Sequence, residues 1–265
     1  MTYQKQFSNR WGIILGGSSG FGFAALEKLA SHGMSIAVLY RETAAADKVL
    51  RETLSRVAST HEVSILPYNI NALDASSRAS FLKEFSAAVG EKGVVGLLLH
   101  SIARGNLKPL LGEQAALSAE DITLTGYAMG TSLLDWSRDL LGEGLFAEGA
   151  SIIGLTSEGA HKYWDGYAAV SIAKASLESL STYMAVEFGK YGLRTNLIQA
   201  GVTSTPAFNR IPGSKELLGM GASRNPMGRL TTPRDVAGAI YLLCLEEASW
   251  INGSLLHVDG GEHCR

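Results

Sequence analysis

Apolar and polar positions alternate along the chain in two rhythms. Short, nearly continuous apolar runs at Trp11–Leu15, Ser35–Tyr40, Glu62–Tyr68, Val94–His100, Ser151–Leu155, Arg194–Gln199 and Ser254–Val258 predict seven β-strands. Stretches with the longer helical period lie between them, near 20–32, 42–59, 73–89, 119–142, 165–190 and 232–246. Apolar side chains at almost every position of a strand imply burial on both faces. A parallel neighbour needs a crossover connection, so strand–helix alternation predicts an α/β fold, a doubly wound parallel seven-stranded sheet with helices on both faces. No linker, repeat or low-complexity stretch interrupts the pattern, which predicts a single domain over 1–265. The irregular segments at about 103–118 and 201–231 are long for a compact domain, where such loops carry function.

Composition narrows the function. Apolar residues make up 46% and charged residues 18%, as in a well-packed globule, and the net charge of −2 leaves no footprint for nucleic acid or an anionic membrane. Cys244 lies in an apolar helical run and Cys264 is next to last, so neither suggests a disulfide framework. No His, Cys and carboxylate cluster has metal-ligand spacing. The N-terminal Met1–Phe7 lacks the apolar core of a signal peptide, and no apolar run is long enough to cross a bilayer. A soluble cytoplasmic protein is expected.

The turn after the first strand carries the first chemistry. Gly16-Gly17-Ser18-Ser19-Gly20-Phe21-Gly22 joins strand to helix directly. Glycines let the backbone turn tightly and approach a pyrophosphate, and the helix N-terminus offers free N–H groups and a positive dipole end to phosphates. Gly16, Ser18, Ser19, Gly20, Phe21 and Gly22 are therefore expected to cradle a nicotinamide dinucleotide on a Rossmann-like sheet. The second strand ends in Tyr40-Arg41. An acidic residue there would accept hydrogen bonds from the adenosine ribose, whereas Arg41 offers a planar charged fork for a 2′-phosphate. NADPH is the expected cofactor. NADH is the alternative, with Arg41 then a solvated side chain partly offset by Glu42.

The spacing Gly-x-x-x-Gly-x-Gly resembles the short-chain dehydrogenase/reductase family. That resemblance places Asn69 and Ile70, after the third strand, around the adenine. It also makes Lys174 the lysine of the family's Tyr-x-x-x-Lys signature, with Ser157 at the usual serine position and Val170 in the tyrosine slot. The hydroxyl is instead at Tyr167, seven positions before the lysine. At about 100° per residue, offsets of four and seven both return to nearly the lysine's face, about 4.5 Å apart along the helix axis. In a ketone reduction the proton donor must reach the oxygen on the carbon that receives hydride. In a conjugate reduction hydride lands on the β-carbon and charge develops on a more distant carbonyl oxygen, which a shifted tyrosine suits.

Tyr-x6-Lys resembles the enoyl-acyl-carrier-protein reductases of this superfamily, and other segments agree. His100-Ser101-Ile102-Ala103 stands where ordinary members have Asn-Asn-Ala-Gly, Gln199-Ala200-Gly201 replaces the usual Pro-Gly, and Thr125 stands at the ketoreductase asparagine. The resemblance runs to Val258-Asp259-Gly260-Gly261. It implies that Ser101, Ile102, Ala103, Ala200 and Gly201 line the cofactor, with Thr203 and Thr205 near the carboxamide and pyrophosphate. His100 is an acid/base candidate or, as the last residue of a buried strand, a structural one. Two departures stand out. Many enoyl reductases have a divergent nucleotide loop, and many carry a second tyrosine ten positions before the catalytic one, where this chain has Ser157.

The segment at about 202–229 is expected to cover the substrate, with Phe208, Leu217, Leu218 and Met220 suited to an acyl chain. Tyr163 and Trp164 either wall the acyl pocket or pack at an interface. Lys108, Arg210, Lys215, Arg224 and Arg229 either greet an acidic carrier protein or are scattered surface charge. The expected reaction is hydride transfer from NADPH to the β-carbon of a trans-2-enoyl thioester on acyl carrier protein or coenzyme A, in fatty-acid or related synthesis. Tyr167, Lys174 and Ser157 are its catalytic candidates, and Tyr163, Phe208 and Met220 its substrate contacts. A ketoacyl or other carbonyl reductase and a silent cofactor-binding protein are the alternatives. The resemblance further implies a homotetramer built through the helices near 119–142 and 165–190.

Overall fold

The structure, a computed structural model, describes residues 5–90, 92–112 and 116–265. Residues 1–4 of the heptad expected to lack a signal core, and 113–115 of the irregular stretch 103–118, lie outside the described residues.

Seven strands, β1 (Trp11–Leu15), β2 (Ser35–Tyr40), β3 (Ile65–Asn69), β4 (Val95–His100), β5 (Phe146–Thr156), β6 (Arg194–Ala200) and β7 (Leu255–Val258), form one parallel sheet in the order β3-β2-β1-β4-β5-β6-β7. Helices α1 (Gly20–Ala30), α2 (Ala44–His61), α3 (Ala75–Val89), α4 (Ala119–Gly126), α5 (Ser132–Gly142), α6 (Ala168–Glu187), α7 (Ser214–Arg224) and α8 (Pro233–Cys244) supply the connections. The expected doubly wound sheet is the one observed. Two apolar cores flank it. One holds Phe81, Phe85, Trp136 and Leu177 against one face, and the other holds Leu26, Leu29, Val236 and Ile240 against the opposite face. Burial from both sides explains why the central strands are apolar without alternation.

The strand order reverses between β1 and β4, and the crevice beyond their C-terminal ends is where ligands bind in such sheets. Three local departures from the expected elements shape that crevice. The expected helix 119–142 is broken by a π-helical turn at Tyr127–Thr131, between α4 and α5. Helix α6 starts at Ala168 rather than near 165, because Gly166 sits at φ +66° and Tyr167 at φ −97°, ψ 1°. The segment 201–231 contains α7, which its glycines at 219 and 221 and its weak apolar pattern concealed.

Candidate active site

The strand ends open into a cavity of about 690 Å³. Its floor is the glycine turn. Gly16 adopts φ +86°, and a Cβ there would lie 2.5 Å from the Ser101 carbonyl oxygen, while one on Gly22 would strike the Gly16 carbonyl. Only glycine permits these approaches. Helix α1 opens at Gly20 with Ser19 as an N-cap whose side chain makes no capping bond. Its first N–H groups are thus left for an anion. Gly16, Ser18, Ser19, Gly20 and Phe21 line the cavity, as do Ile70, Ser101, Ile102 and Ala103. Ala200, Gly201, Thr203 and Thr205 line the opposite side. The Thr203 hydroxyl donates to the Gly201 carbonyl at 2.8 Å, and Thr205 Oγ1 accepts from Phe208 N–H at 3.1 Å. A glycine-built cradle at an uncapped helix terminus fits a dinucleotide pyrophosphate.

Asn69 does not join this lining. Its amide is spent on the β2–α2 loop, accepting from Glu42 N–H at 2.9 Å and donating to the Glu42 carbonyl at 3.0 Å. Arg41 does reach the rim, but it is exposed, and Glu42 lines the same rim beside it. A lone exposed guanidinium next to a carboxylate is a poor phosphate subsite.

Ser157, Tyr167 and Lys174 all face the cavity. The Tyr167 hydroxyl donates to Ser157 Oγ at 3.3 Å, and Ser157 Oγ also accepts from Gly159 N–H at 3.2 Å. Tyr167 is the N-cap residue of α6 rather than a residue within it, and its carbonyl accepts from Ser171 N–H at 2.8 Å. Burial raises the tyrosine's pKa against a smaller lowering by Ser157, so the hydroxyl carries its proton at neutral pH. Lys174 is buried, and its ammonium donates to the Met129 carbonyl in the π-helical turn at 3.1 Å. Burial pushes its pKa down to about 8, against a raising influence from Glu178. Val170, in the ordinary tyrosine slot, is buried and packs with Ala128, Met129 and Ala173. An uncharged O–H donor and an ammonium beside an apolar wall can stabilise a developing oxyanion.

The substrate candidates separate. Phe208 and Leu217 line the cavity. Tyr163 also reaches it but is 89% exposed, and the Trp164 indole donates to the Pro212 carbonyl at 2.9 Å, tying the entry turn to the covering segment. Met220 is corrected: it is 54% exposed and lies off the lining, because Leu217 occupies the inward side of α7. His100 is fully buried and does not line the cavity, so it takes no direct part in acid/base chemistry there. Burial, then the nearby charge of Lys174, holds its pKa at about 3, so the ring is neutral.

An ion-pair group that the sequence pattern does not reveal stands at the cavity wall. Arg224 of α7 bonds Glu158 at 2.7 Å and Glu262 at 2.6 Å, while Glu262 is 2% exposed and accepts from Val202 N–H at 3.0 Å. Arg224 was expected either to greet a carrier protein or to be scattered surface charge; nothing local marks a pairing across 66 and 38 residues. Lys108 and Arg229 are spent on Asp121 and Asp235. Among the described residues no group of three or more His, Cys, Asp or Glu could hold a metal ion, and no helix is long and apolar enough to cross a membrane.

A family model described as enoyl-(acyl carrier protein) reductase matches residues 16–263. An NADH-dependent enoyl-[acyl-carrier-protein] reductase, FabI, of Rickettsia typhi is 32% identical over 192 residues, 72% of this chain and 73% of that one. The solved enoyl-[acyl-carrier-protein] reductase (NADH) of Aquifex aeolicus superposes with a TM-score of 0.83 at 25% identity, covering 98% of both chains. The fold of the Anaplasma phagocytophilum enoyl reductase in complex with NAD matches with a TM-score of 0.83 at 23% identity, over 100% of this chain and 96% of that one. Relatives named for NADH, from Rickettsia typhi and Aquifex aeolicus, overturn the expectation of NADPH drawn from Arg41. The exposed setting of Arg41 beside Glu42 gives the physical reason.

Proposed function

The chain belongs to the enoyl-(acyl carrier protein) reductase family, and on that premise we propose that it reduces a trans-2-enoyl thioester on acyl carrier protein through Tyr167 and Lys174, with NADH as cofactor. It is an oxidoreductase of fatty-acid synthesis. The observation that carries the assignment of residues is the position of the hydroxyl. Tyr167 presents one to the cavity together with Lys174, while aliphatic Val170 fills the slot from which a ketone would be protonated.

When bound, the nicotinamide supplies hydride to the β-carbon of the enoyl group. Electrons then move onto the thioester carbonyl oxygen, where the Tyr167 O–H donates a hydrogen bond and can deliver its proton; the enol becomes the saturated thioester as Cα takes a proton from solvent and the oxygen returns its proton to the tyrosine. Ser157 orients the tyrosine through their shared hydrogen bond. The Lys174 ammonium holds the ribose of the cofactor and adds positive charge near the developing enolate. Gly16, Ser18, Ser19, Gly20 and Phe21 hold the pyrophosphate, Gly22 lies off the lining and lets helix α1 pack against the Gly16 carbonyl, and Ile70, Ser101, Ile102, Ala103, Ala200, Gly201, Thr203 and Thr205 complete the cofactor wall.

The whole of 1–265 acts as one domain, with the segment at about 202–229 covering the acyl chain through Phe208 and Leu217 and Tyr163 at its mouth. The protein works in the cytoplasm as a homotetramer. Exposed Leu124 on α4 and Ile172, Tyr183 and Val186 on α6 support assembly through those helices.

Tyr167→Phe tests the reading. Removing one oxyanion donor should lower kcat by about 10²–10³-fold, with NADH affinity within about twofold. Lys174→Ala should weaken both. Full activity in Tyr167→Phe would refute the role given to the shifted tyrosine.

A further inference from the structure

His100 ends β4 fully buried, in register with Leu15 of β1 and Gly154 of β5. A polar ring in that position needs a partner. Its Nε2 lies 2.8 Å from Ser132 Oγ, and Ser132, also fully buried, donates its one hydroxyl proton to the Ala128 carbonyl at 3.4 Å. That direction leaves the serine oxygen as acceptor, so the neutral imidazole carries its proton on Nε2. Nδ1 is buried without a hydrogen-bond partner among the described residues.

Ala128 belongs to the π-helical turn Tyr127–Thr131, and the next carbonyl along that turn, of Met129, receives the Lys174 ammonium at 3.1 Å. Helix α6 comes close here, since a Cβ on Gly130 would lie 2.7 Å from the Ala173 carbonyl oxygen. A π-turn interrupts the regular helical ladder, so its carbonyls depend on outside contacts for their aim. We propose that His100 is a positioning residue for Lys174: through Ser132 it fixes the π-helical turn and so aims the Met129 carbonyl at the ammonium. This rests on Lys174 being the working lysine.

Titratable groups around Lys174 are Tyr167 at the N-cap of α6, Glu178 on α6, His100 on β4, and Glu158 and His161 at the turn before α6. Glu178 favours the charged lysine, and its carboxylate is held by the Thr156 hydroxyl and His161 Nε2, each at 2.6 Å. His100 stays neutral, so it acts through geometry rather than charge. Losing the aimed carbonyl removes an acceptor from the ammonium and favours the neutral amine.

The test is the pH profile of kcat in His100→Leu, Ser132→Ala and His100→Gln, with thermal unfolding and NADH fluorescence titration alongside. His100→Leu and Ser132→Ala should each move the basic limb down by about half a pH unit or more and lower kcat about tenfold, as loss of one hydrogen bond to a charged group allows. The double variant should be no worse than either single. His100→Gln, whose amide N–H reaches a similar point, should restore the limb. A merely structural histidine would lower the melting temperature and leave the limb in place, which overturns the proposal. If His100→Leu does not fold, Ser132→Ala, which deletes one hydroxyl, decides alone. Lys174→Ala separates the failures: full activity there sinks the role of the lysine itself, whereas an inactive Lys174→Ala with an unmoved limb in Ser132→Ala sinks only the tether.

Discussion

Gly159 shows how closely the fold sets the catalytic ring. It lies in the one-turn 3₁₀ helix Glu158–Ala160, and a Cβ built on it would sit 2.5 Å from Cε1 and 2.8 Å from Cδ1 of Tyr167. Carbon atoms settle at about 3.5–4.0 Å, so Gly159→Ala forces ring and turn apart by about 1 Å. The ring cannot move freely. Tyr167 N–H is tied to the Trp164 carbonyl at 3.1 Å and its carbonyl to Ser171 at 2.8 Å, with Val170 and Met129 packed behind. Gly159 does not have a positive φ, so alanine strains no backbone there and the effect falls on the ring. A misplacement of about 1 Å at a reacting group costs roughly 10²-fold in rate, or about 2.7 kcal/mol of barrier. Overpacking should cost about 1–3 kcal/mol of stability. Steady-state kinetics, NADH titration and thermal unfolding measure the three quantities. The expected result is kcat down about 100-fold with NADH affinity kept, because the cradle at Gly16–Gly22 is untouched. A Gly159→Ala protein with kcat within threefold of the parent would show that the ring is not held by this contact.

Two more outcomes follow from the site's charges. Burial holds the Lys174 pKa at about 8, so kcat should fall as pH rises through about 8, whereas an unburied lysine would hold its charge until about 10.4. Stability runs the other way. Between those values the unfolded chain binds more protons, so the fold gains stability as pH rises, and Lys174→Met should abolish that gain in pH-dependent melting. Arg224→Met should leave the buried Glu262 carboxylate with the Val202 N–H but no cation, while Glu158 keeps Lys162. The expected loss is about 2 kcal/mol of stability, below the cost for a wholly buried pair because Arg224 stays partly exposed, with KM raised more than kcat is lowered as α7 loosens.

Much of this architecture was legible because the central strands carry their burial in their composition. β1 and β2 fall at the expected residues. β3 begins at Ile65 rather than Glu62, since α2 runs on to His61 and Glu62 takes a left-handed cap at φ 54°. β5 starts at Phe146, its first half hidden by the polar Glu148 and flexible Gly149. The π-helical turn was invisible because a single turn of changed pitch, five residues long, is too short to register against the helical period. At the site, Tyr167, Lys174 and Ser157 could be read from spacing because they lie within 18 positions on a single turn and helix. Asn69 and Arg41 could not be read that way. One is claimed by the Glu42 backbone 27 residues earlier, and the charge of the other is offset at the rim. The Asn69 bond depends on a neighbour brought in by folding, as does the Arg224 link between α7, the Ser157 turn and Glu262, whereas Arg41 and Glu42 are adjacent in the chain and only their exposure at the rim had to come from the fold.

The central claim is that the displaced tyrosine selects conjugate reduction. Oxidation of NADH by the purified protein, followed in parallel with a crotonyl thioester and an acetoacetyl thioester, tests it most directly. The crotonyl thioester should turn over, and the acetoacetyl thioester little or not at all. Reduction of the ketoacyl substrate in preference to the enoyl one would contradict it.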